Sequence, residues 1–141
     1  MEVITPSPYR VKPACSIARQ CGGCQLQALS YEQQLKFKEK KVRGHLERIG
    51  GFQNLDMEPI MGMEDPYHYR NKAQFPVGKN KDGKIITGFY AGRTHSIIDN
   101  RECILGVKQN KEVLDRVIGH MEKYHVQPTM RPREKVLYVI L

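Results

Sequence analysis

A chain of 141 residues with 40% hydrophobic side chains and only eight prolines has the size and apolar content of one folded domain, which excludes a disordered polypeptide. No apolar run reaches the length of a membrane span and no secretory signal opens the chain, so the expected setting is cytoplasmic, without a membrane partner. Twenty-three Lys and Arg against fifteen Asp and Glu leave a net charge of +8, which favours a polyanionic partner, nucleic acid above all.

Residues 1–14, MEVITPSPYRVKPA, carry three prolines and read as an extended lead-in, as at the edge of a preceding domain. Next comes CSIARQCGGC, which holds Cys15, Cys21 and Cys24, three of the four cysteines. The stretch LQALSYEQQLKFKEKKVRGHLERIGG is the strongest helix signal. Ser30 with Gln33 has capping-box spacing, Tyr31, Leu35, Val42, Leu46 and Ile49 recur at helical intervals as a stripe suited to core packing, and Gly50-Gly51 supplies a stop. Its other face is basic: residues 36–48 hold six cations and two acids.

The period then changes from helical to alternating. In YRNKAQFPVGK, Ala73, Phe75 and Val77 alternate with Lys72 and Gln74, as in a half-buried strand. Asp82-Gly83 marks a hairpin turn, IITGFYAG is the returning strand, and THSIIDN is a third short strand running into Cys103. Residues 67–101 hold seven cations and two acids, a second basic segment beside the cysteines. A second helix starts at about Asn110 with Val113, Leu114, Val117, Ile118, Met121 and Tyr124 on one side. HVQPTMRPR is a connection and KVLYVIL a final strand; an apolar strand with no polar tail after it predicts a longer polypeptide. The order of elements predicts an α+β domain, a small mixed or antiparallel sheet packed by two helices, with a cysteine-rich loop.

Four thiols admit four readings. Disulfides do not suit a cytoplasmic chain. A redox pair at Cys21-Gly-Gly-Cys24 leaves Cys15 and Cys103 without a role, and three cysteines beside two glycines fill a core poorly. A four-thiolate metal site uses all of them. Structural zinc usually takes two paired knuckles, whereas the split here is C-x5-C-x2-C and one remote cysteine, closer to iron–sulfur ligation. A plant-type two-iron pattern differs by one residue, so the spacing leaves nuclearity open.

The segment CGGCQLQALSYEQQLKFKEKK, preceded by PSPYRVKPAC, resembles the RNA (uracil-5-)-methyltransferase family, and YRNKAQFPVG and GFYAGRTHSIIDNRECILG agree with it, from about Pro6 to Leu141. The resemblance implies a [4Fe-4S] cluster on Cys15, Cys21, Cys24 and Cys103 in the central domain, residues 15–141, of a monomeric S-adenosylmethionine-dependent enzyme that methylates uridine C5. Because tRNA-directed members generally lack the cysteine set, it also implies 23S ribosomal RNA as substrate, with no DNA partner. Family members usually add an N-terminal β-barrel and a C-terminal Rossmann-like domain, which binds the methyl donor and supplies the nucleophilic cysteine and the general base. No glycine-rich donor loop is present here, and a cluster-bound thiolate is no free nucleophile. The resemblance therefore implies that this chain alone holds no catalytic or donor-binding residue.

Arg70, Lys72, Arg93 and His95 are candidates for RNA contact, set against ordinary solvated charge. Phe75 and Phe89 could stack on bases, although alternating strand positions favour core. Tyr67, His68 and Tyr69 suit turn packing, and His120 and His125 have no ligand motif. The alternative reading of the whole chain is a stand-alone zinc-stabilised RNA-binding module.

Overall fold

A computed structural model of the chain, describing residues 4–128 and 137–141, contains two helices and one four-stranded sheet. Their order is α1 (Tyr31–Arg48), β1 (Gln74–Lys79), β2 (Ile85–Tyr90), β3 (Ile97–Asp99), α2 (Asn110–Lys123) and β4 (Tyr138–Ile140). The sheet is antiparallel throughout, with strand order β3-β2-β1-β4, so the α+β expectation holds and the antiparallel option is the one realised. Residues 1–3 of the lead-in, 129–133 of the expected connection, and Lys135 and Val136 of the expected last strand lie outside the described residues.

The chain divides into two units. The first comprises Met1–Pro13 and Leu26–Pro66, and the second Ala14–Gln25 and Tyr67–Leu141. All four cysteines therefore belong to the unit that carries the sheet.

In the first unit the lead-in is tied to the residues before α1. Val11 N–H donates to Ala28 O at 3.0 Å, and Arg10 bridges Leu29. Ser30 takes the N-cap position, but its side chain makes no capping bond. The other half of the box is taken by a distant partner: Ser30 N–H, the donor a capping-box glutamine would satisfy, donates to Tyr9 O at 3.0 Å. At the other end Ile49 N–H and Gly50 N–H both donate to His45 O, and the helix stops at the glycine pair as expected. The expected apolar stripe is not core. No α1 residue is buried, and Val42 and Ile49 stand 51% and 81% exposed. Within this unit the non-helical stretch around Leu55–Met63 lies against the helix, where Tyr31 Oη accepts from Met63 N–H at 2.8 Å and Arg43 reaches Leu55 O. One extended strip cannot enclose a helical face.

In the second unit, the alternation in β1 places Phe75 and Val77, with Ala73 just before them, inside. The strand is covered more fully than a half-buried one, since Pro76 and Gly78 are buried too. Ile85 of β2 and Leu114, Ile118 and Met121 of α2 complete two adjoining clusters. Those three helical residues form a narrow i, i+4, i+7 stripe. At about 100° per residue, Val113 and Tyr124 fall at its margin, which explains their exposure. Fully buried Thr87 is satisfied by donating Oγ1–H to Pro76 O at 3.1 Å. The β1–β2 turn forms where Asp82-Gly83 predicted it. Gly83 adopts φ +77°, a conformation with little cost for glycine, and Asn80 Oδ1 accepts from both Asp82 N–H and Lys84 N–H.

Candidate metal centre and its basic surround

Residues 14–25 coil through short local bonds. Ala18 N–H donates to Cys15 O, and Gln20 and Cys21 N–H both donate to Ile17 O at 2.9 Å. The far end of this loop docks on the turn after β2. Cys21 bridges Ala91, Gly22 N–H donates to Tyr90 O at 3.2 Å, and Gly92 N–H donates to Gln20 O at 3.1 Å. The docking needs a bare backbone: a Cβ on Gly22 would lie 3.2 Å from Gly92 Cα, a backbone atom that cannot swing away. Gly22→Val is thus expected to undock the loop, read as faster amide hydrogen exchange at Gly22 and Gly92. Unchanged protection there would contradict the docking.

Cys103 lies on a separate segment, just after β3. Its carbonyl accepts from Gly106 N–H, and the segment is clamped by the chain entering β1. His68 N–H donates to Ile104 O at 2.9 Å, Arg70 N–H donates to Leu105 O at 2.8 Å, and His68 Nδ1 bonds Gly106 O at 2.8 Å. A carbonyl can only accept, so Nδ1 carries the proton. His68 holds this clamp at φ +53°, a left-handed conformation in which histidine is enriched among non-glycine residues. The sequence offered His68 only as turn packing; its role depends on a partner segment more than thirty residues away.

The four thiols are half-buried, and none forms a disulfide. Burial pushes the Cys21 thiol above its usual range, while Gly23 N–H, donating to its sulfur at 3.3 Å, pulls the other way. Cys24, Cys103 and Cys15 each push it up further, so charge on all three would be felt at the Cys21 sulfur. Cys103, remote in sequence, thus lies near enough for its charge to reach Cys21. Four soft thiolates on two chain segments are the donor chemistry of iron–sulfur or zinc. Among the described residues, however, no three His, Cys, Asp or Glu side chains are grouped tightly enough to hold a metal ion. The donor set fits; its side chains are not converged.

The four basic candidates flank this site in two pairs. Arg93 and His95 are exposed on the turn that receives the Cys21 loop, with Arg93 at φ +62° and the His95 ring edge-on to Tyr90 at 5.5 Å. Arg70 and Lys72 are exposed on the strand entry that clamps the Cys103 segment. Phe75 and Phe89 are not available to bases: Phe75 is fully buried, and Phe89 packs on the same cluster, ring centroids 5.0 Å apart. His120 stacks on Tyr124 at 4.5 Å.

No family model matches the chain. It is 46% identical over 126 residues to a protein of Clostridium tetani described as an uncharacterized RNA methyltransferase, covering 89% of this chain and 27% of that one. A Bacillus cereus protein of the same description is 42% identical over 135 residues, covering 96% and 29%. Among solved structures, the chain is similar to the tRNA (uracil-54, C5)-methyltransferase of Pyrococcus abyssi in complex with S-adenosyl-L-homocysteine, at 28% identity and a TM-score of 0.63. That match covers 99% of this chain and 30% of the other. The chain therefore spans under a third of the length of these relatives.

Proposed function

We propose, from the premise that the chain belongs to the RNA (uracil-5-)-methyltransferase family, that it is the central, cluster-bearing and RNA-contacting domain of such an enzyme. The observation that carries this reading is 42–46% identity to RNA methyltransferases across nearly the whole chain. The parent protein is a monomeric cytoplasmic enzyme that uses S-adenosylmethionine to methylate uridine C5 in 23S ribosomal RNA. This chain alone, which lacks a donor-binding motif, transfers no methyl group. Its own residues hold and present RNA: Arg70 and Lys72 beside the Cys103 segment, Arg93 and His95 on the turn that receives the Cys21 loop.

Cys15, Cys21, Cys24 and Cys103 are the ligands of a [4Fe-4S] cluster, which would staple the loop at 14–25 to the segment after β3. Anaerobic purification tests this. A brown protein absorbing near 400 nm with about four irons per chain is expected, whereas a colourless protein holding one tightly bound zinc would establish the zinc-stabilised module instead.

The solved relative's name favours a second substrate reading, a uridine in tRNA. Competition between a 23S ribosomal RNA fragment and a tRNA transcript for the parent enzyme separates the two, since methyl transfer to the tRNA alone would replace the ribosomal reading. For the surface, Arg70→Glu with Arg93→Glu is expected to weaken RNA binding and to flatten its log–log salt dependence by about 0.7 per lost single-strand phosphate contact. An unchanged slope in fluorescence anisotropy would remove both arginines from the interface.

A further inference from the structure

Beside Cys103 lies a cavity of about 330 Å³ whose lining includes none of the other three thiols. It is therefore not the gap between the four cysteines. Its walls come from the segment 101–108, the first turn of α2, and His68. Half-buried Ile104 and Val107 contribute apolar surface, and Glu102, Lys108 and Lys111 contribute charge at the mouth.

The charges there are not equivalent. Arg101 and Lys111 are committed to Asp115, at 2.9 and 2.7 Å, and Lys111 also lies 3.7 Å from Glu102. Lys108 is exposed and has no ion-pair partner among the described residues, so it is the cation available to an anion. His68 spends Nδ1–H on Gly106 O, which leaves Nε2 as the ring atom able to meet a ligand. A volume at the low end of small-molecule sites, an apolar wall, one free cation, and acceptors at Glu102 and His68 Nε2 match one nucleotide. A flat base needs apolar surface and an edge partner, and its phosphate needs a cation. A second, shallower cavity of about 520 Å³ shares Lys108 and Lys111 and is lined further along α2 by Glu112, Asp115 and Arg116.

We propose that this cavity takes up one unpaired, amino-bearing nucleotide of the bound RNA, its base against Ile104 and Val107, its exocyclic amine on Glu102, and its phosphate on Lys108. The proposal deepens the RNA-binding reading and rests on it for the identity of the polymer, but the pocket can be tested without RNA. Adenosine 5′-monophosphate is titrated into the metal-loaded chain while backbone amide shifts are followed. Saturable shifts at Glu102, Ile104, Val107 and Lys108 are expected, with Kd on the order of 1 mM for a single nucleotide.

Val107→Trp, which fills the cavity, should abolish those shifts, and Lys108→Glu should weaken binding about tenfold. The second variant is exposed, so it remains informative if the first fails to fold. No shift at these four amides overturns the pocket, as does inorganic phosphate producing the same shifts with the same affinity, since that would mean an anion site without a base. Loss of RNA binding by the whole chain, measured separately by anisotropy, would overturn the RNA reading while leaving the nucleotide result to stand by itself.

Discussion

Phe75→Ala is expected to destabilise the sheet unit by about 3–5 kcal/mol, the range for deleting a fully enclosed aromatic side chain. The ring has no exposed surface, and the residues around it come from four parts of the chain: Ala73 before β1, Phe89 of β2, Leu114 of α2, and Val139 and Leu141 at the end. Little can collapse into the vacated space, because Leu114 is itself fully enclosed and Ala73, just before β1, is held by its N–H donating to Leu141 O at 2.7 Å. The Phe75–Phe89 ring contact at 5.0 Å would be lost as well, an aromatic pair worth about 0.5–1.5 kcal/mol beyond area. Phe37 on α1, 48% exposed, is the matched control, and its replacement by alanine should stay within about 1 kcal/mol. Urea unfolding of both variants checks this. A Phe75→Ala loss below that of Phe37→Ala would mean that the core is not where the alternation put it.

Cys103→Ser is expected to act only when metal is bound. In the metal-free chain it exchanges a half-buried thiol for a hydroxyl, a change of about 1 kcal/mol or less. If the proposed cluster is bound, Cys103 would be its one ligand outside the 15–24 loop, and its bond would close a loop of nearly eighty residues. By the loop-closure estimate for cross-links of that length, such a tie would be worth about 4.5 kcal/mol. The variant should therefore retain less iron and melt at a lower temperature than the parent chain, with the two melting alike after chelation. Cys21→Ser should reduce iron content similarly, because it would remove a proposed ligand whose sulfur feels the other three thiols. Iron content unaffected by Cys103→Ser would show that a different group completes the site.

Several features were legible in order along the chain. The 3.6-residue spacing of Leu114, Ile118 and Met121, the alternation of Ala73, Phe75 and Val77, and the Asp82-Gly83 turn each specify their element through contacts a few residues apart. The cysteine spacing proposes a four-thiol site, whose side chains the fold does not draw together among the described residues. Other features misled because local spacing is silent about what covers a face. The α1 stripe has proper helical periodicity yet is buried nowhere, and Ser30 has a capping-box partner in sequence yet gives its N–H to Tyr9.

By itself, then, the sequence determined the element types, the turn and the set of thiols, since these follow from short-range sterics and from residue chemistry. Only the tertiary structure decided that β4 lies beside β1, that the cysteine loop belongs with the sheet rather than with the helix following it, and that His68 clamps the segment carrying Cys103. Each of those depends on backbone groups far apart in the chain finding one another, and a hydrogen bond between distant residues leaves no periodic trace in either segment.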